Sequence, residues 1–303
     1  MNTWTVLISV ALLLVFNVAF SQAITYKRTD EGIVMKEKGK AVLFYQVKPK
    51  TVDGKYERSG YVHPLYSLNG TVLTEDMPED HPYHRGIFWA WHQIIVNDKS
   101  VADGWTSENI SFVPENVRVE RSGKSCTIRS KLVWRVKDSA NGSDTNVIDE
   151  SAKITVRPAT GNYRVIDFEI VLKPLMDNVK LGGSDDAKGY GGFCMRIKLP
   201  DDIRFISGDK DVTPADTALE AGPWMNFKMS DGGIILMGHR DGGERSSFPW
   251  ILRKSKSMQN VPYPGRTPVK VAGEGLHLHY RVVVHNNHIT DDEINTLYKD
   301  FKK

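Results

Sequence analysis

Residues 117–136, VRVERSGKSCTIRSKLVWRV, decide the fold class. Two runs rich in β-branched residues flank Ser122-Gly123-Lys124-Ser125, which reads as a hairpin turn. In the second run Cys126, Ile128, Leu132, Trp134 and Val136 fall on alternate positions, so on an extended chain they share a face. Residues 138–146, DSANGSDTN, form a polar turn. After it Ile148, Ala152, Ile154 and Val156 line one face, with Lys153, Thr155 and Arg157 on the other. Glu150 lies on the apolar side of that alternation. We read it as an acid at a fraying strand end or bulge; the alternative is a carboxylate facing a cavity. Thr160-Gly161-Asn162 then turns the chain into a strand carrying Ile166, Phe168, Ile170 and Leu172 on one side.

The same period of two extends outward. Ile33–Val47 reads as a hairpin about Lys38-Gly39-Lys40, and IFWAWHQIIV (87–96) reads as one strand. GGSDDAKGYGG (182–192) is a glycine-rich loop leading into the strand FCMRIKL. It lacks the GK[ST] ending of a phosphate-binding loop. GGIILMGHRDGG reads as a strand ending in an exposed turn with His239, Arg240 and Asp241, and residues 249–268 are irregular. In LHLHYRVVVH, Leu276, Leu278, Tyr280 and Val282 share a face opposite His277, His279, Arg281 and His285. That polar stripe is either a cavity wall or a solvated outer face. Thr290 to Glu293 fits a capping box, and Ile294, Leu297, Tyr298 and Phe301 follow at helical spacing. The expectation is an all-β antiparallel sandwich with a short C-terminal helix.

Residues 1–23 read as a signal peptide, with an apolar run at 4–20 and a cut expected after Ala23; a membrane anchor is the alternative. That leaves one domain at 24–303, periplasmic or secreted, with no span after cleavage. A net charge of +3 without a long basic run gives no reason to expect nucleic acid. Two cysteines, Cys126 and Cys194, suit either one disulfide or two buried thiols.

Titratable groups concentrate in residues 61–92, YVHPLYSLNGTVLTEDMPEDHPYHRGIFWAWH. The stretch holds His63, His81, His84, His92, Arg85, four acids, Trp89 and Trp91. Pro82 separates His81 from His84, so they do not form a helical metal couple.

YVHPLYSLNG, DHPYHRGIFWAW, KGYGGFCMR, GHRDGG and LHYRVVVH, in that order, resemble a bacterial family labelled PmoA-related, the DUF6807 group. The likeness spans most of the mature chain, with HPxHRG and KGYGG its most specific pieces. The methane-oxygenase label does not suit a chain without spanning helices after its signal. The resemblance implies a β-sandwich of galactose-mutarotase type and carbohydrate work outside the cytoplasm.

Mutarotation, epimerisation and β-elimination require a proton to be taken from one atom and given to another, which histidines near neutral pKa can do. His81 and His84 are therefore the expected proton-transfer pair, with Arg85 stabilising developing negative charge. His63, Trp91, Lys188, Tyr190, Arg196 and His239 are the expected contacts to a small-molecule or oligosaccharide substrate. Trp89 and Trp91 share a strand face, either as a sugar platform or as core. His92 reads as a strand histidine. No cofactor is expected. A second reading is a divalent-metal site of His81, His84 and either His239 or His63. A third is a non-catalytic carbohydrate-binding or accessory protein.

Overall fold

The computed structural model describes residues 23–137, 143–208, 210–239, 247–255 and 258–303. The expected signal segment before Ala23, part of the polar turn at 138–146, and Arg240 and Asp241 lie outside the described residues.

The period-two runs form the strands of two large antiparallel sheets. One has seven strands, in the order Thr25–Arg28, Gly32–Glu37, Lys40–Gln46, Tyr61–Leu65, Ile87–Trp91, Gly191–Arg196 and Met258–Pro262. The other has nine, in the order Ile110–Ser122, Ser125–Val136, Thr145–Val156, Tyr163–Pro174, Leu276–His285, Gly232–His239, Trp224–Met229, Arg204–Ser207 and Lys210–Asp211. The 117–136 hairpin sits in the nine-stranded sheet, lengthened to Ile110 by a bulge between Pro114 and Asn116. A smaller sheet joins Val269–Lys270, Val179–Gly182, Gln93–Val96 and Lys99–Ala102.

The two large sheets meet face to face through their alternating apolar residues. Phe193 of the seven-stranded sheet lies 5.2 Å from Phe168 and 4.3 Å from Tyr280 of the nine-stranded one. Trp91 meets Trp134 at 5.9 Å. Such aromatic pairs contribute about 0.5–1.5 kcal/mol each beyond their area burial. Trp89 and Trp91 are fully buried in this core, so they are not a sugar platform. Cys126 and Cys194 are both buried and free.

Glu150 corrects its reading as a fraying acid. It stands mid-strand between Leu132 and Leu172, 2 % exposed. The Trp134 indole donates to it at 2.8 Å, and burial pushes its carboxyl pKa up.

IFWAWHQIIV is also not one strand. Trp91 pairs with Gly191 in the seven-stranded sheet, whereas Gln93 pairs with Gly182 in the small sheet. The partner chain breaks at the same place: residues 183–190 loop out where one residue would have faced His92. This exchange of sheets brings His92 and the glycine loop together. Gly189 lies at φ +66, and a Cβ there would sit 2.8 Å from the Arg266 amide, so the loop returns only because that position is glycine.

The helix spans Asp291–Phe301 and carries the full capping box. Ile294 and Leu297 dock on Val165, Trp224, Ile235, Met237 and Val283, covering the outer face of the nine-stranded sheet. The polar stripe of Leu276–His285 is an outer face, with Arg281 and His285 buried and His277 exposed. Arg281 binds Asp167 at 2.6 Å and the Leu297 carbonyl at 2.8 Å, and His285 meets Asn226 at 2.9 Å. No helix among the described residues is long and apolar enough to cross a membrane.

Candidate functional site

Where Trp89 and Phe193 face the main core, their strand neighbours Phe88, Ala90 and Cys194 face the other way. With Tyr61, Trp105 and Met258 they form a separate apolar cluster on the outer side of the seven-stranded sheet. Above it opens a cavity of about 350 Å³, lined by His81, Tyr83, His84, His92, Trp105, Lys188, Tyr190, Arg253, Ser255 and Met258. The HPYHRG segment and the KGYGG loop supply five of these ten.

A tight turn presents the first two histidines. The His84 amide donates to the His81 carbonyl at 2.9 Å, and the rings stack at 4.6 Å, 2° from parallel. Gly86 allows this segment to press on its neighbour, because a Cβ there would lie 2.3 Å from the Val62 carbonyl oxygen. Arg85 fastens the turn from beneath. Its guanidinium donates to the carbonyls of Pro82 (2.9 Å), His84 (3.2 Å) and Tyr56 (2.5 Å).

The three histidines differ in what their Nδ1 atoms meet. His81 Nδ1 lies 2.9 Å from Asp80, which has only acceptors when ionised, so Nδ1 carries a proton and a neutral ring keeps its lone pair on Nε2. His92 repeats the arrangement with Asp103 at 2.8 Å. The other Asp103 oxygen accepts from the amides of Trp105 (2.7 Å) and Thr106 (3.0 Å), and Trp105 stacks on His92 at 5.1 Å. His84 is the opposite case. Its Nδ1 faces Arg196 Nη1 at 3.1 Å. A guanidinium has only donors, so Nδ1 must accept and the ring proton sits on Nε2. Burial, then the charge that His81 carries when protonated and that of Arg196, drives the His84 pKa down to about 2. His84 is thus a neutral hydrogen-bond donor.

Arg196 ties these parts together. It is 3 % exposed and binds Glu75 at 2.9 Å and both Asp80 oxygens at 2.9 and 3.1 Å. Burial alone would raise the Asp80 pKa, but hydrogen bonds from His81 and Arg196, the guanidinium charge and that of His81 when protonated bring it to about 2.

Residues 32–299 match the family of unknown function DUF6807. The chain belongs to that family. No curated protein matches it. The DUF6807 match takes in every element that lines the cavity, from the HPYHRG turn to the strand carrying Met258.

Of the expected site residues, His81, His84, Lys188 and Tyr190 meet at the cavity. Arg85 does not reach it; the guanidinium is fully buried against backbone carbonyls. Arg196 lies under the floor and orients the groups above. His63 is bound to Thr74 at 3.0 Å, and the Trp91 indole donates to the Tyr263 carbonyl at 2.7 Å inside the core. His239 stands beside His279 and Phe301 on the helix-covered face of the other sheet. The alternative metal set therefore does not assemble, and no group of three His, Cys, Asp or Glu side chains placed to hold an ion occurs among the described residues.

Sequence reasoning missed Tyr83, His92, Trp105, Arg253, Ser255 and Met258. Asp103-Gly104-Trp105 carried a usable signal, since an Asp side chain commonly accepts the amide two residues on in a turn. Arg253, from the irregular 249–268 stretch, carried none. It donates to the carbonyls of Ala215 (2.6 Å) and Asp216 (3.0 Å) and lies 5.4 Å over the Tyr190 ring.

Proposed function

We propose that the cavity is the acid–base active site of an exported, carbohydrate-active protein of mutarotase-like sandwich type, working on a sugar or an oxidised sugar. The observation that carries this reading is the pair of aspartate-backed histidines, His81 and His92, on one cavity with the neutral donor His84 beside them. Two bases with orienting carboxylates and a fixed donor are what enolisation needs.

In this mechanism one imidazole Nε2 takes the proton from a sugar carbon next to a carbonyl. The electron pair moves onto the carbonyl oxygen, where the His84 Nε2–H stabilises the charge. The other histidine, which enters the cycle as an imidazolium protonated from solvent, then returns a proton to the other face, giving an epimer, or protonates a β leaving group as the electron pair collapses, giving elimination; proton exchange with solvent resets both rings. Tyr83 and Tyr190, both half-buried, supply faces for the pyranose ring, and Lys188 and Arg253 supply charge for the carboxylate of an oxidised sugar. The sugar assignment draws on the family resemblance, and the proton chemistry on the geometry.

A purified 24–303 chain screened against sugars, uronates and 3-keto-sugars, with and without chelator, tests the reading. Turnover or solvent-deuterium incorporation into a sugar is expected. Binding without either favours the accessory-protein reading, which the same aromatic and cationic walls also suit.

A further inference from the structure

A second cavity adjoins the first. It measures about 430 Å³ and is lined by Tyr56, Glu57, Tyr83, Thr106, Ser107 and Glu108 among others. Tyr83 lines both cavities, and the consecutive residues Trp105 and Thr106 pass from one wall to the other. Each volume lies in the usual range of small-ligand sites, about 300–1,000 Å³. The side chains of Tyr56 and of residues 106–108 take no part in the acid–base chemistry, yet both segments are held in left-handed backbone conformations. Tyr56 lies at φ +56 and Ser107 at φ +59. For a bulky residue the left-handed region is unfavourable and persists only when its surroundings hold it. Tyr56 lies in the irregular hairpin Lys50–Val52/Lys55–Arg58, and Arg85, fixed beneath the histidine turn, donates to its carbonyl at 2.5 Å. The strained conformation sets the Tyr56 ring 5.7 Å from Tyr83, tilted at 55°. Glu57 and Glu108 beside them carry carboxylate acceptors suited to sugar hydroxyls.

We infer that this second cavity is a subsite for a further sugar residue, so that the substrate is a glycan of at least two rings. One ring sits among the histidines, and the next packs against Tyr56 and Tyr83. This rests on the proposed sugar function of the first cavity and extends it.

The test is a glycan array of mono-, di- and tetrasaccharides of neutral hexoses and hexuronates, with affinities of hits measured by titration calorimetry. Wild-type protein should bind some disaccharide at least tenfold tighter than either component monosaccharide. Tyr56→Gly removes the ring while relieving the left-handed strain, so its thermal midpoint should hold or rise. It should lose the disaccharide advantage and keep monosaccharide affinity, while Tyr56→Phe retains both. Equal affinity for mono- and disaccharides, or an unchanged advantage in Tyr56→Gly, overturns the subsite and leaves the sugar function standing. Binding of no sugar of any length overturns both.

Discussion

A histidine nitrogen facing a guanidinium cannot accept a proton without placing two donors against each other. That constraint, with burial, separates His84 from its stacked neighbour His81. Nitrogen-15 NMR of the histidines should therefore show His84 as the neutral Nε2–H tautomer down to about pH 4; an imidazolium signal for His84 at pH 6 contradicts the assignment. The same shift has a stability consequence. The unfolded chain takes up a proton at this histidine below about pH 6.5, whereas the folded one does not until about pH 2. The contribution is thus complete above pH 6.5 and is lost as pH falls through that window, at up to about 1.4 kcal/mol per unit. His84→Gln should flatten the fall in denaturant midpoint between pH 6.5 and 4.5. That the HPYHRG segment gathers titratable groups was legible in the sequence, and it lines the candidate cavity. The division of roles was not, because it depends on Arg196, 112 residues away, pointing at one ring and not the other.

Strands and their breaks decide which groups meet. The alternation in 117–136 was readable because a half-buried strand repeats every two residues. IFWAWHQIIV hid its break because Ile87–Trp91 is buried on both faces, which erases the alternation. The break at His92 and the looping out of 183–190 are a single event seen from two strands, and the active-site reading depends on it. Asp103 links that break to the following turn. Asp103→Asn keeps one oxygen for the amides of Trp105 and Thr106 but turns a donor toward His92, forcing the other tautomer. Turnover should drop by about 10²–10⁴-fold with a stability loss under about 1 kcal/mol. A variant that unfolds, or one fully active, contradicts the pairing.

Across the whole molecule, the sandwich holds the cavity from behind. Phe193 joins the sheets through Phe168 and Tyr280, while its neighbour Cys194 faces the apolar floor of the cavity. Phe193→Ala should cost about 3–5 kcal/mol in denaturant unfolding, and a cost below about 1 kcal/mol would mean that the sheets are not packed through this ring. The class of fold was legible because nearly every strand kept its period. His239 was misplaced because a strand's pattern does not say which sheet it joins or which outer face it serves.

The central claim is that His81 and His92, each backed by an aspartate, are the proton-handling pair of one site. Its most direct measurement is solvent-deuterium incorporation into, or turnover of, the active sugar found by screening, compared among wild type, His81→Asn and His92→Asn. Each variant should lose at least about 10²-fold in rate while keeping the wild-type melting temperature within a few degrees. Wild-type rates in either folded variant would contradict the account.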